Sequence, residues 1–199
     1  MPEFSENCHP ILMEIDRNYQ RFGSDRALFQ TKATGAVTNE VIRKRLQDEG
    51  VKVSLRNVFI EGFPTEWDLV VPKNGAEAEL DCIWQPADVL AVLEIKYSGL
   101  YDCDAIQRLN QTFLRLTNKH PHIKPFYFTV METQSARNRI TDQSIGGRAL
   151  TLHWWRSRNK KDEYIIMGDQ WETLVREIKG HVHCCPIVFK AVPSEDLAQ

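Results

Sequence analysis

The segment Pro86-Ala-Asp-Val-Leu-Ala-Val-Leu-Glu-Ile-Lys-Tyr-Ser-Gly99 constrains the fold more than any other stretch of this sequence. Val89 to Leu93 is continuously apolar and lies between a Pro-Ala turn and Gly99, which predicts a central strand covered on both faces. Glu94 and Lys96 then interrupt the run two residues apart. Strand geometry has a period of two, so both side chains point to the same face. Charge beside such a run costs free energy unless it is paired or bound to a metal.

The rest of the chain supplies the layers this strand needs. Ile11, Leu12, Ile15, Tyr19 and Phe22 recur at helical spacing, predicting a helix over Glu6 to Phe22 with Ser5 as cap and Gly23 as stop. A second helix is expected over Asn39 to Glu49, capped by Thr38 and ended by Gly50. Val51 to Ile60, Glu66 to Val71 and Val89 to Tyr97 read as strands separated by turn formers, with Ala76 to Trp84 either a short strand or part of a turn. Asp102 to Asn118 has a helical stripe in Ile106, Leu109, Phe113 and Leu116. Pro125 to Met131, Leu150 to Trp155 and Tyr164 to Met167 read as further strands, and Gln170 to Lys179 as a last helix before Gly180. The fold class is therefore α/β, a mixed β-sheet flanked by helices, with residues 1–199 expected as a single domain.

A second charge sits inside a strand in Thr65-Glu-Trp-Asp-Leu-Val-Val71. If this strand lies beside Val89–Tyr97, then Asp68, Glu94 and Lys96 converge at one edge of the sheet. Two carboxylates supply the hard oxygen ligands that Mg²⁺ or Mn²⁺ takes, and the Ile95 backbone carbonyl between Glu94 and Lys96 is a natural further ligand. Such an ion lowers the pKa of a bound water and offsets charge at phosphorus, while a lysine can orient that water. The alternative is a buried ion pair with no chemistry.

Asp68 followed by Glu94-Ile95-Lys96 resembles the PD-(D/E)XK nuclease superfamily, which has the restriction-endonuclease-like fold. The similarity spans about Thr38 to Met131, covering a helix, a strand meander, a crossover helix and a strand. It implies a Mg²⁺-dependent phosphodiesterase acting on DNA or, less often, RNA, with Asp68 and Glu94 as metal ligands and Lys96 activating the attacking water. Many members add an acidic residue from the preceding helix, a place that Glu40 fits. Trp67 stands where the motif has proline, a departure at a variable position. The resemblance also implies a homodimer when duplex DNA is cut. A catalytically inactive module of this fold, binding nucleic acid or a protein partner, is the alternative.

Composition bears on where nucleic acid would lie. Lys+Arg 25 against Asp+Glu 27 gives a net charge of -2, which excludes a histone-like polycation and an acidic disordered tail. Yet between Arg137 and Lys161 the bases Arg137, Arg139, Arg148, Arg156, Arg158, Lys160 and Lys161 face a single acid, Asp142. Lys and Arg neutralise phosphates and an exposed indole stacks on bases, so Arg148, Trp155, Arg156, Arg158, Lys160 and Lys161 are candidate nucleic-acid contacts. The alternative puts Trp154 or Trp155 in the core and makes Arg156 to Lys161 a solvated hairpin tip. Gly146-Gly147 beside this stretch would let the backbone flex over a substrate, but loops need glycine for many other reasons.

Weaker signals remain. His181, His183, Cys184 and Cys185 carry zinc-type donors, but their spacing fits a strand equally well and matches no paired site. His120 and His122 read as a loop. Gln107 and Gln111, one helical turn apart, face either the site or solvent. Asp81 and Asp88 are poorer candidates than Asp68 for the first carboxylate. Five irregularly spaced cysteines point to reduced thiols. No apolar run approaches the roughly 18 residues needed to span a bilayer, and MPEFSENCHP lacks signal-peptide character, so a cytoplasmic protein without a membrane partner is expected.

Overall fold

The computed structural model describes residues 9–20, 26–55, 57–99, 103–133, 141–155, 164–167 and 169–184. Helix α1 (Pro10–Gln20) begins on a proline, whose missing N–H costs nothing at a first helical position. His9 caps it by accepting the Ile11 amide on Nδ1 at 3.2 Å. The expected cap Ser5 and the expected end at Phe22 and Gly23 lie outside the described residues. Helix α2 (Arg26–Asp48) starts well before the expected Asn39. Thr38 is consequently no cap: its hydroxyl donates to the Thr34 carbonyl at 2.7 Å, a mid-helix back-bond that competes with its use at a terminus. The stop is as expected, with Gly50 at φ +77°.

Two mixed sheets follow. The smaller has the order β2 (Phe63–Trp67), β1 (Val58–Ile60), β4 (Ile83–Trp84), with β1 antiparallel to β2 and parallel to β4. The larger has the order β3 (Leu69–Pro72), β5 (Val89–Ser98), β6 (Lys124–Thr133), β7 (Arg148–Trp155), β8 (Tyr164–Ile166). In it β5, β6 and β7 are parallel, and β3 and β8 are antiparallel edges. Helix α3 (Cys103–Lys119) makes the crossover from β5 to β6, and the short α4 (Asp142–Ile145) precedes β7. Helix α5 (Gln170–Cys184) closes the described chain.

Two sequence expectations about strands need correction. Val51 to Ile60 pairs as a strand only from Val58; upstream, Ser54 ties the segment to β3, its amide donating to the Val70 carbonyl and its hydroxyl accepting the Val70 amide, both at 2.9 Å. Glu66 to Val71 is not one strand but two, broken at Asp68, where the chain leaves the small sheet and joins the large one. Gly180 does not end α5, which runs on through His181 to Cys184 as the His181 ring meets the His122 carbonyl at 2.9 Å. That places His181 and His183 on a helix rather than a strand.

Val89 to Leu93 is buried throughout, as the apolar run requires. One face of the large sheet packs Leu69, Leu93, Ile95, Phe126 and Phe128 against Ile11, Ile42 and Leu46 of α1 and α2 and against Leu174 and Ile178 of α5. The other packs Val70, Val92 and Tyr127 beneath Ile106, Phe113 and Leu116 of α3. Gly147 permits the α4–β7 turn to press on α3: a Cβ there would stand 2.6 Å from the Phe113 ring and 2.9 Å from the Pro125 carbonyl. The Gly146-Gly147 pair therefore serves close packing, which corrects its reading as a flexible flap. Among the described residues no helix is long and apolar enough to cross a membrane.

Candidate active site

Glu94 and Lys96 follow Val92 on the same face of β5, in the C-terminal half of the strand. Antiparallel pairing of β3 with β5 sets Leu69 opposite Leu93. Continued by one residue, that register sets Asp68 opposite Glu94, and by two, Trp67 opposite Ile95. The ladder does not continue, because Trp67 pairs with Val58 in the small sheet and stacks on Phe113 of α3, with ring centroids 6.0 Å apart. The tryptophan at the motif's proline position is thus a core residue, 1% exposed.

Leaving the ladder deprives the Ile95 amide of a backbone acceptor on that side. Asp68 replaces it: its Oδ2 accepts from the Ile95 N–H at 2.7 Å. Asp68 Oδ1 accepts from Asn39 Nδ2 of α2 at 2.6 Å. Because N–H and C=O of an extended residue point to the same neighbour, the Ile95 carbonyl faces this edge as well.

Lys96 joins the two carboxylates. Its Nζ lies 2.5 Å from Glu94 Oε1 and 3.8 Å from Asp68 Oδ2. The side chains of Glu94, Asp68 and Lys96 are 20%, 19% and 36% exposed, so the cluster is half-buried but open to solvent at the lysine end. Burial first, and the Asp68 charge second, push the Glu94 carboxyl above the usual range, against the pull of Lys96. For Lys96 burial opposes the charge, but Glu94 and Asp68 outweigh it and raise the ammonium's pKa. The lysine is therefore a cation near neutral pH, suited to donate hydrogen bonds to an anion or a water and not to act as a base.

Two carboxylates share one lysine, and a further cation would relieve their repulsion. Among the described residues no three His, Cys, Asp or Glu side chains group as a metal cage. The available donors are Asp68, Glu94 and the Ile95 carbonyl, a sparse oxygen set of the kind that suits an ion retaining several waters.

The other sequence candidates lie elsewhere. Glu40, next to Asn39, is gripped by Arg43 in a two-pronged pair at 2.7 and 2.9 Å and approached by Lys44 at 3.8 Å. Arg148 binds Glu177 at 2.9 Å and Asp142 at 2.6 Å, so its guanidinium is committed inside the protein. The Trp155 side chain and Arg156, Arg158, Lys160 and Lys161 lie outside the described residues, as do Arg137, Arg139 and Cys185. Gln107 and Gln111 are exposed. Asp88 sits in the 3₁₀ turn Pro86–Asp88 before β5, and exposed Asp81 lies in the turn before β4.

Sequence reasoning missed Asn39. The signal available was a polar Thr38-Asn39 pair in register with the apolar Val41, Ile42 and Leu46, all of which are buried. It also missed a buried polar row beginning beside Lys96, whose partner in the β5–β6 register is Thr129. Thr129 and Thr151 hydroxyls meet at 2.7 Å, and Thr151 is within 2.7 Å of Glu132, which is 2% exposed.

Comparison with solved structures bears on the fold. NucC from P. aeruginosa ATCC27853 in its cAAA-bound form superposes with a TM-score of 0.54 at 14% identity, over 86% of this chain and 87% of that one. NucC from E. coli MS115-1, also cAAA-bound, gives a TM-score of 0.54 at 17% identity, over 86% and 88%. This chain has a NucC-like fold. At these identities the likeness extends to the mixed α/β architecture and no further. No family model and no curated protein matches the sequence.

Proposed function

We propose that the protein is a metal-dependent nuclease that hydrolyses phosphodiester bonds of nucleic acid, DNA in the first instance. The observation that carries this reading is the meeting of Asp68, Glu94 and Lys96 where the chain passes from β2 of the small sheet to β3 of the large one. Asp68, Glu94 and the Ile95 carbonyl would hold Mg²⁺ or Mn²⁺. Bound there, the ion would acidify water and offset charge on the scissile phosphate. Lys96 orients the attacking water and donates to the phosphate oxygens as negative charge builds on them. Asp68, fixed by the Ile95 amide and Asn39, keeps its orientation through the reaction, and Glu40 supports the cluster from its rim. The water's oxygen bonds to phosphorus as its proton passes to bulk water, the bond from phosphorus to the sugar oxygen breaks, and that oxygen takes up a proton from solvent as it leaves. Arg156, Arg158, Lys160 and Lys161 are proposed phosphate contacts and Trp155 a proposed stacking platform; Arg148 has a sufficient role in its ion pairs. Two copies would cut both strands of a duplex.

Incubating the protein with plasmid, linear duplex, single-stranded DNA and RNA, with Mg²⁺ or with chelator, tests the reading. Cleavage that needs Mg²⁺ and disappears in Asp68→Asn and Lys96→Met is expected. Equal cleavage by wild type and both variants would overturn it. The 2.5 Å Lys96–Glu94 pair favours a second reading, a self-satisfied ion pair in a module that binds without cutting. That reading predicts no Mg²⁺-dependent rise in melting temperature, whereas the enzyme predicts one that Glu94→Gln abolishes.

A further inference from the structure

Asn39 is 7% exposed, yet only one end of its amide is satisfied. Nδ2 donates to Asp68 at 2.6 Å, while Oδ1, buried with it, meets no donor among the described residues. An unpaired buried acceptor is costly. Turning the amide over would not recover the loss, because the carbonyl oxygen would then face Asp68 Oδ1, acceptor against acceptor. The amide is therefore held in the orientation that serves Asp68, at the expense of its other end. Asp68 needs that service. It belongs to neither β ladder, so its carboxylate is located by one donor per oxygen, the Ile95 amide on rigid β5 and Asn39 on rigid α2.

We propose that Asn39 is a positioning residue, which holds the Asp68 carboxylate against the Ile95 amide in the orientation that accepts a divalent cation shared with Glu94. The metal part of this inference rests on the nuclease reading, whereas the positioning part does not. Groups that orient metal ligands typically contribute about 10–100-fold in metal affinity.

Asn39→Leu provides the test, since leucine keeps the branched shape and heavy-atom count, with bulkier methyls, while deleting both the donor to Asp68 and the orphaned acceptor. Two quantities are read: exchange of the Ile95 amide proton in metal-free protein by NMR, and Mg²⁺ affinity by calorimetry. The melting temperature is expected to hold or rise, because the orphan is gone. Ile95 exchange should accelerate by about 10-fold and Mg²⁺ should bind about 10–100-fold more weakly, with saturating Mg²⁺ restoring most of the cleavage rate. A purely structural asparagine predicts the reverse, a lower melting temperature with wild-type Ile95 exchange and wild-type Mg²⁺ affinity, and that result overturns the proposal. If the wild type takes up no Mg²⁺, the metal part falls together with the nuclease reading, and Ile95 exchange alone decides the positioning part. Should leucine not be accommodated, Asn39→Ala carries the same two readouts.

Discussion

Two charged clusters sit on the large sheet, and they differ in how their charges add up. Near the starts of β6 and β7, Glu177 of α5 receives Lys124 and Arg148, both at 2.9 Å, and Arg148 also reaches Asp142 at 2.6 Å. Two cations face two carboxylates. Burial alone would raise the Glu177 carboxyl, but hydrogen bonds from Lys124 and Arg148 prevail and hold it below the usual range. Beside β5, Asp68 and Glu94 share one lysine, and Glu94 is pushed the other way. The balanced cluster is complete and fastens α5 to the sheet. The unbalanced one would gain from an incoming cation, a difference that tells a candidate site from a structural clasp more clearly than the presence of charge does.

The widest separation between the two clusters should appear in catalysis. Lys96→Met is expected to lower phosphodiester cleavage by about 10³-fold, the scale associated with losing a preorganised electrostatic donor, with the circular dichroism spectrum unchanged. Lys124→Met, made in the balanced cluster, should leave the cleavage rate per folded molecule within about 2-fold, since Lys124 pairs with Glu177 and not with Asp68 or Glu94. Comparable losses from both variants would break the distinction.

The acidic core of the site was legible in the sequence because a charge inside an apolar strand is costly wherever it occurs. Asp68, Glu94 and Lys96 each stand in or beside such a run. What brings them together was not legible. Asp68 reads as a strand residue, and nothing local to Thr65–Val71 says that the strand divides between two sheets; that depends on Val58 capturing Trp67 and Leu93 capturing Leu69, contacts distant in sequence. Helix α2 was underestimated for a related reason. Thr38 and Gly50 frame a plausible helix, but a threonine hydroxyl can bond back to a carbonyl four residues earlier as readily as it caps. The ion pairs of Arg148 were not legible either, because charge clustering along the chain is blind to Glu177 on α5, which accepts from its Nε. Overall architecture was easier to read, since the alternation of apolar strands with amphipathic helices depends on burial and not on any single pairing.

Stability against pH sharpens the comparison once the contribution of His153 is removed. His153 is fully buried, with Nδ1 against the Val130 carbonyl and Nε2 accepting the His9 amide. Burial foremost lowers its pKa from 6.5 to about 4. Between those values the unfolded chain binds more protons than the folded one, so stability falls as pH drops from 6.5 towards 4, by about 3 kcal/mol in all. His153→Gln, which cannot titrate, should flatten that limb in urea melts. In that background the two glutamates should act with opposite signs. Glu177, with its pKa lowered, adds stability that is present above 4.5 and lost as pH falls through its folded value. Glu94, with its pKa raised, removes stability as pH climbs from 4.5 through its folded value. At pH 7 Glu177→Gln should therefore cost about 1–2 kcal/mol, while Glu94→Gln leaves the metal-free protein as stable as the wild type or more so. Destabilisation by both would mean that the β5 cluster is a clasp like the other.

Glu40 lies between the two cases and should show the smallest effect. Its carboxylate is 37% exposed and held by Arg43 one helical turn away, an arrangement resembling the balanced cluster, yet its neighbour Asn39 touches Asp68. A half-exposed helical pair of this kind is worth well under 1 kcal/mol, so Glu40→Gln should leave the melting temperature almost unmoved. If Glu40 acts on the site only through charge at its rim, cleavage at saturating Mg²⁺ should drop by less than about 10-fold, with the loss shrinking as salt rises and screens the interaction. A loss near that of Lys96→Met, insensitive to salt, would instead move Glu40 among the groups that touch the metal or the substrate. The unbalanced cluster would then contain three carboxylates, and its demand for a cation would be correspondingly greater.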